Sequence, residues 1–554
     1  MLKKALSVLL VSIMLVSSMQ AATAAVAENA QETYTIDYLF PWGTPVVEYS
    51  DQTRIGKIIK DKFNIVFRYI PYSGNWSEKV NLMLAGGDYP ELLEIQGNTD
   101  LLKYVQAGAL LSVDDYIGAM PQFAERYNSV LSILRSVSPD GKLYNWQYNQ
   151  SDFNTNLSVF DMTARLDALE QQGWPSLESE DDWIAFLKKA MEENPTTNGQ
   201  PTLGVVAPFG ESWGMAGIAG IMYEKGGRYT GVAGNGSVIF NHDAEKYEDY
   251  FLNEYVKESF HFFNKLYREG ILDPECFTDL GTQVEEKFNS GRALATWYVK
   301  PGLSTNLKAV EEGRAGQQYM LLPIRSNTQV ERNEKRRIME LDIVEFSNVV
   351  MTKNAKQPER IMALLDWASS EEGQTLLQAG VEGEDYTIGE NGALNPTEAN
   401  IADRQDAAST TGWGLFNFLG NDLRVSKVTG KPYNPTMDWA YRDQVGLTED
   451  VRNAYAKLGW ADSVDYWRKT SIGGPSGIAS SIVLDPTSEL GMLSAKMTEF
   501  RVKNTAKLIM AQDDTEFEAL YQSLVAEYNA LNPQTVVDEY NRLYGERHTQ
   551  IYGK

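Results

Sequence analysis

The amino-acid sequence predicts an α/β protein of two lobes, each a mostly parallel sheet flanked by helices. Three observations predict it. Between residues 33 and 107 apolar spacing switches three times from strand-like to helix-like. A similar alternation restarts near residue 157. The roughly 525 residues left after an export leader exceed one ordinary domain.

The leader comes first. Lys3 and Lys4 precede an apolar run from Leu6 to Val16, and small residues follow from Ala21 to Ala27. That pattern is a secretory signal peptide over residues 1–27. Ala22-Thr23-Ala24 and Ala25-Val26-Ala27 both offer a cleavage site, so the mature chain is expected to begin near Ala25 or Glu28. The run is shorter than the ~20 residues that cross a bilayer. The only cysteine is Cys276, so a large core rather than disulfides must hold the fold. With no cysteine at the cleavage site, a soluble secreted protein without a lipid anchor is expected.

Thr33 to Phe40 alternates as a strand, the loop FPWGTPVVEYS follows, and Ile55, Ile58 and Ile59 mark a helix face. Phe63 to Tyr69 reads as the second strand, with Val80, Met83 and Leu84 on the helix after it. Leu92 to Ile95 is the third strand. It stops at Gln96-Gly97-Asn98, and Leu101, Leu102 and Val105 resume helical spacing. Repeated strand and helix in this order build a parallel sheet, and ligands of such sheets lie beyond the carboxyl ends of the strands. Gln96 and Asn98 stand at such an end, although Asn98 also suits the N-cap of a helix over 99–107 closed by Gly108. In the second lobe Leu157 to Phe160 and Leu203 to Ala207 read as strands and Trp183 to Met191 as a helix. A long amphipathic helix is expected from Ala244 to Glu269, closed by Gly270. Residues 490–531 read as helical throughout.

Catalytic patterns are scarce. His242, His261 and His548 are far apart in sequence, and none belongs to an HExxH motif. Gly473-Gly474-Pro475-Ser476-Gly477 lacks the GxSxG spacing, and Gly234 and Gly236 lack the third glycine of a nucleotide cradle. Glu180-Asp181-Asp182 and Glu371-Glu372 fall on first turns of expected helices, though a chain with 75 acids could hide a glycosidase or lyase pair. The segment Asn194 to Gly199 half resembles a calcium loop, but Val205 stands where the closing glutamate belongs, so no metal or other cofactor is expected. A net charge of −25 repels nucleic acid and anionic lipid.

Tryptophan is informative. There are 12, and Trp42, Trp146, Trp213, Trp297 and Trp413 stand in expected loops with Asn, Gln, Asp or Glu nearby. An indole platform with polar neighbours suits a pyranose, which has an apolar face and a hydroxyl rim.

LMLAGGDYPELLEI followed by YVQAGALLSVDDYI, then DGKLYNWQ, RLDALEQQGWP, KFNSGRALATW and FSNVVMTKNAKQPERIMALLDWASSEEGQTLLQAGVEGEDY, occur in an order that resembles the bacterial extracellular solute-binding proteins of carbohydrate ABC transporters, in their long oligosaccharide-binding branch. The resemblance implies a two-lobed periplasmic-binding-protein-like fold with the ligand cleft between the lobes. It places 28–155 and 340–400 in one lobe and 156–339 and 401–554 in the other. It also implies sugar contact from the segments holding Trp42, Gln96, Asn98, Glu211, Trp213 and Trp297, with Trp146 and Trp413 added. A non-enzymatic monomer that captures an oligosaccharide and serves a membrane permease is the implied role. A secreted lyase or glycoside hydrolase, or a sugar sensor for a receptor, remains open at this stage.

Overall fold

A computed structural model describes residues 32–41, 44–72, 74–147, 161–211, 214–217, 229–231, 237–340, 348–406, 408–420, 425–438, 440–475 and 477–553. The first sheet is built from Tyr34–Leu39, whose neighbours are the parallel strands Ile65–Ile70 and Leu92–Ile95. Asn348–Met351 then runs antiparallel between Leu92–Ile95 and Asn145–Gln147. Each turn between these strands has a local cause. Thr53 caps the helix Arg54–Phe63 by accepting the Gly56 N–H, and Asn64 ends it at φ 52°. Gly56 is obligatory, because a Cβ there would meet the Ser50 carbonyl at 1.7 Å. Asn75 caps Trp76–Gly86, and Gly87 at φ 69° closes it.

The second sheet has the order Tyr319–Leu322, Met162–Arg165, Ala293–Trp297, Leu203–Val206. Ala293–Trp297 is parallel to Leu203–Val206, while Met162–Arg165 is antiparallel to both its neighbours. Both sheets are therefore mixed, with most strands running the same way. One strand in each returns against the others, and a sequence pattern of strand then helix carries no sign of that reversal. Helices cover both sheets, including Glu180–Glu193, Glu254–Arg268 and Glu489–Ile509.

Two expectations change. The helix expected from Ala244 begins at Glu254, where Asn253 accepts the N–H groups of Tyr255 and Val256. Lys246–Asp249 instead pairs with Val238–Asn241, and Asn541 clasps the N–H and C=O of Tyr247 beside it. The strand expected at Leu157–Phe160 lies outside the described residues. Residues 490–531 form two helices, Glu489–Ile509 and Asp514–Asn529, because Asp513 caps the second by accepting the Glu516 N–H.

Residues beyond the expected boundary at 401 reach the first core. Leu415, Phe416, Phe418 and Leu419 are buried in the first core, with Phe418 stacked 4.2 Å from Tyr38. This stretch thus packs with the first lobe, drawn there by aromatic contacts that follow no helical or strand period. Away from the strand ends, Gln106 donates to Asp485 at 3.0 Å, and Arg547 on the last helix, Gln534–Tyr552, donates to Ser136 and Ser481. Among the described residues no helix is long and apolar enough to cross a membrane.

Candidate functional site

The carboxyl ends of the two sheets carry the polar and aromatic groups. In the first lobe Gly97, at φ 80°, turns the chain out of Leu92–Ile95 and serves as N-cap, so Asn98 becomes the first residue of the helix Asn98–Gln106 rather than its cap. Freed from capping, Asn98 joins a row of amides: Asn145 donates to Asn348 at 2.7 Å, and Asn348 donates to Asn98 at 3.3 Å. Gln96 is exposed beside it.

Two aromatic residues not singled out by sequence stand beyond the second strand. Tyr72 and Trp76 meet edge to face at 4.7 Å. Trp76 is 9% exposed, and its indole N–H has no acceptor among the described residues. Such a donor is costly unless a ligand or water accepts it. Applying the strand-end rule to Ile65–Ile70 as well as to Leu92–Ile95 finds both residues.

In the second lobe Gly210 donates to the Asp279 carbonyl at 3.0 Å, and Glu211 accepts the Gly281 N–H at 2.8 Å. A Cβ on Gly210 would meet the Thr278 carbonyl at 2.5 Å, so the close approach requires glycine there. The loop carrying Asp279 is itself fastened by Lys287, whose ammonium lies 2.7 Å from Asp273, 2.8 Å from Glu275 and 2.5 Å from Asp279. These acids form the one carboxylate cluster of metal-binding spacing among the described residues, and a lysine sits in it. The two edges come within electrostatic reach of each other. Burial raises the Tyr72 pKa first, and the charge of Glu211 on the opposite lobe raises it further.

At the end of Ala293–Trp297 the Val299 N–H bonds the Trp297 carbonyl at 2.9 Å, closing a three-residue turn around Tyr298 at φ 70°. That conformation is strained for a bulky residue. Lys300 follows, reachable by solvent yet surrounded by protein that disfavours its charge.

Several expected sugar platforms are instead core. Trp146 is fully buried and donates its indole N–H to the Phe418 carbonyl at 2.7 Å. Trp297 is fully buried, edge-on to Phe263 at 5.7 Å. Neither offers a face to a ligand, because both lie within strands and are enclosed in the cores. Trp413 is half-buried, bonded to Asp403 at 2.6 Å and covered by the Arg404 guanidinium at 3.8 Å. Trp42 and Trp213 lie outside the described residues. Gln96, Asn98 and Glu211 stand at the sheet edges.

A family model described as bacterial extracellular solute-binding protein matches residues 57–375, more than half of the 554-residue chain. The chain belongs to that family. Lipoprotein LipO of Bacillus subtilis (strain 168) is 24% identical to this solute-binding protein over 345 residues, which are 60% of this chain and 63% of that relative. The polygalacturonan/rhamnogalacturonan-binding protein YtcQ of the same organism is 22% identical over 382 residues, 67% and 69% of the two chains. The match thus spans less than two thirds of LipO and slightly more of YtcQ. The alginate-binding protein AlgQ2, solved without calcium, superposes with a TM-score of 0.61 at 16% identity, covering 93% of this chain and 99% of that one. The substrate-binding protein FusA of Streptococcus pneumoniae with kestose gives 0.59 at 13% identity, covering 93% and 100%. At these identities the likeness is one of fold.

The calcium-loop-like segment of this solute-binding protein is a short hairpin, Thr196–Thr197 with Gln200–Pro201. Arg165 donates to the Thr197 hydroxyl at 3.1 Å and to the Gly291 carbonyl at 2.6 Å. Asn194 donates to Gln171 at 2.8 Å, and Asn198 to the Ser290 carbonyl at 2.8 Å.

Proposed function

We propose that this solute-binding protein captures an oligosaccharide between its lobes outside the cytoplasmic membrane and delivers it to a permease. The observation that carries this reading is the pair of facing rims. Gln96 and Asn98 stand on one, backed by the buried Asn145–Asn348 pair, with Tyr72 and Trp76 beside them, and Glu211 and the Tyr298 turn on the other. Amides and a carboxylate suit sugar hydroxyls, and aromatic rings suit the CH faces. Closure of two lobes removes water from such contacts and creates a shape that a permease can distinguish from the open form. A micromolar Kd corresponds to about 8 kcal/mol, within reach of several net ~1 kcal/mol hydrogen bonds and stacked rings.

Capture without turnover is part of the proposal, as is action as a monomer with no nucleic-acid partner. Relatives named as binding proteins for polygalacturonan or fructooligosaccharide support the sugar class. The test is a thermal-shift screen of the mature chain against neutral and acidic oligosaccharides and peptides, with chromatography of the recovered ligand. A sugar that raises the midpoint and returns intact supports capture. A cleaved sugar overturns the binding-only role, and a shift by peptides alone overturns the sugar class.

A further inference from the structure

We infer that Lys287 is a positioning residue for ligand binding: its ammonium gathers three carboxylates into the loop that holds Glu211 at the second rim. The pin stands on contacts within the second lobe, whereas contact between Glu211 and a sugar rests on the sugar-capture reading. Those contacts form a closed circuit. Strand Leu203–Val206 leads through Gly210 to Glu211, and the loop beside it starts at Asp273, whose N–H donates to the Val205 carbonyl at 2.9 Å. Further along that loop the Asp279 carbonyl accepts the Gly210 N–H at 3.0 Å, and the Gly281 N–H donates to Glu211 Oε1 at 2.8 Å. Gly281 opens the helix Gly281–Asn289, which carries Lys287 in its last turn. Lys287 closes the circuit, with Nζ 2.7 Å from Asp273, 2.8 Å from Glu275 and 2.5 Å from Asp279.

The chemistry of the pin explains why a lysine stands there. An ammonium has three donors, and here each meets a carboxylate. Asp273 and Asp279 are buried, and the three acids bring oxygens within 4.8 Å of one another. Without a cation between them such charges repel and cannot keep that spacing. The residue before the helix is Leu280, which has no side-chain acceptor for the helix N–H groups. Glu211 supplies one from another segment, and its charge lies at the positive end of the helix dipole. Oε1 is thus spent on the helix, which leaves Oε2 as the oxygen to meet a sugar hydroxyl. If the pinned loop shifts, Oε1 loses its donor and the carboxylate turns freely. The ligand must then order it on binding, at a cost in affinity.

The test compares the mature wild-type chain with Lys287→Met, Asp279→Asn, Glu211→Ala and the double variant Lys287→Met/Glu211→Ala. Calorimetric titration with tri- and tetragalacturonate and with kestose measures affinity, and amide hydrogen exchange without sugar measures the loop. Affinity for the probe that binds should fall roughly ten-fold in Lys287→Met. In the Glu211→Ala background the same substitution should cost less than about two-fold, because it acts through that carboxylate. Exchange at Gly210 and Gly281 should quicken roughly ten-fold in unliganded Lys287→Met, with Phe262 and Phe263 of the same lobe unchanged. Full affinity in folded Lys287→Met, or an equal loss with and without Glu211, overturns the inference. If Lys287→Met does not fold, Asp279→Asn decides: quicker exchange at Gly210 and Gly281 supports the pin, and wild-type exchange there overturns it. A wild type that binds none of these sugars counts against the capture reading instead, while exchange in the variants still decides the pin.

Discussion

The fate of single tryptophans shows how far one side chain can be read from its neighbours. Trp297 and Trp76 are both large, aromatic and close to strand ends, yet Trp297 is fully enclosed while Trp76 keeps an indole N–H without an acceptor among the described residues. Trp297→Ala is expected to cost about 3–5 kcal/mol of stability by opening a cavity in the second core. Calorimetric melting of unliganded protein checks this; an unchanged midpoint means the ring is not core. Trp76→Phe keeps most of the packing and removes only the donor. Sugar affinity should fall roughly three- to ten-fold, with the ligand-free midpoint unchanged or slightly raised, as titration and melting would show. Equal affinity in both proteins would mean that water, not ligand, meets the N–H. Sequence placed Gln96 and Asn98 at a strand end because Gly and Asn mark the stop there, whereas Glu211 came from the family resemblance alone. It misassigned Trp146 and Trp297 because a buried and a lining aromatic have the same letter and the same local context.

Helix starts were more legible, and one of them carries a pH dependence. Ser179 and Asp182 form a capping box at the start of Glu180–Glu193, which sequence anticipates from the acidic first turn. What it does not reveal is that Glu180 is 5% exposed against the helix Glu254–Arg268, with Lys265 3.9 Å away. Burial raises the Glu180 pKa to about 8, with Lys265 pulling it down and Glu258 pushing it up. The folded protein therefore holds a proton that an unfolded chain releases near the ordinary value of 4.5. This contribution to stability is complete below that value and is lost as pH rises toward 8. Its slope is at most about 1.4 kcal/mol per pH unit. Glu180→Gln should flatten this limb, melting higher than wild type at pH 8 and no higher at pH 4.5. Parallel melting curves across that range would place the proton elsewhere. The missed reversal of Met162–Arg165 and Asn348–Met351 has a related cause: strand direction is fixed by partners far away in sequence.

At the scale of the whole molecule, the two sheets are joined by chain crossings, and the proposed closure on a ligand has parts that can be tested separately. One crossing is visible as the parallel pair Arg336–Glu340 with Ser471–Pro475, and the last helix ties Ser136 to Ser481 through Arg547 on the side away from the rims. The reach of Phe416 and Phe418 into the first core means that a late part of the chain returns to the lobe built first. A sequence divided by local pattern alone does not show that return. Hinge closure on a ligand makes a distributed prediction that no single contact makes. With a binding sugar present, amide hydrogen exchange should slow together at residues 96–98 on one rim and at 208–211 and 297–300 on the other. Exchange in the 336–340 and 471–475 ladder should change little, because a hinge turns about bonds that stay formed. Solution scattering should register a smaller radius of gyration in the same sample. Slowing confined to one rim, with no compaction, would mean the ligand rests on a single lobe, and the closed form could not then be what a permease recognises.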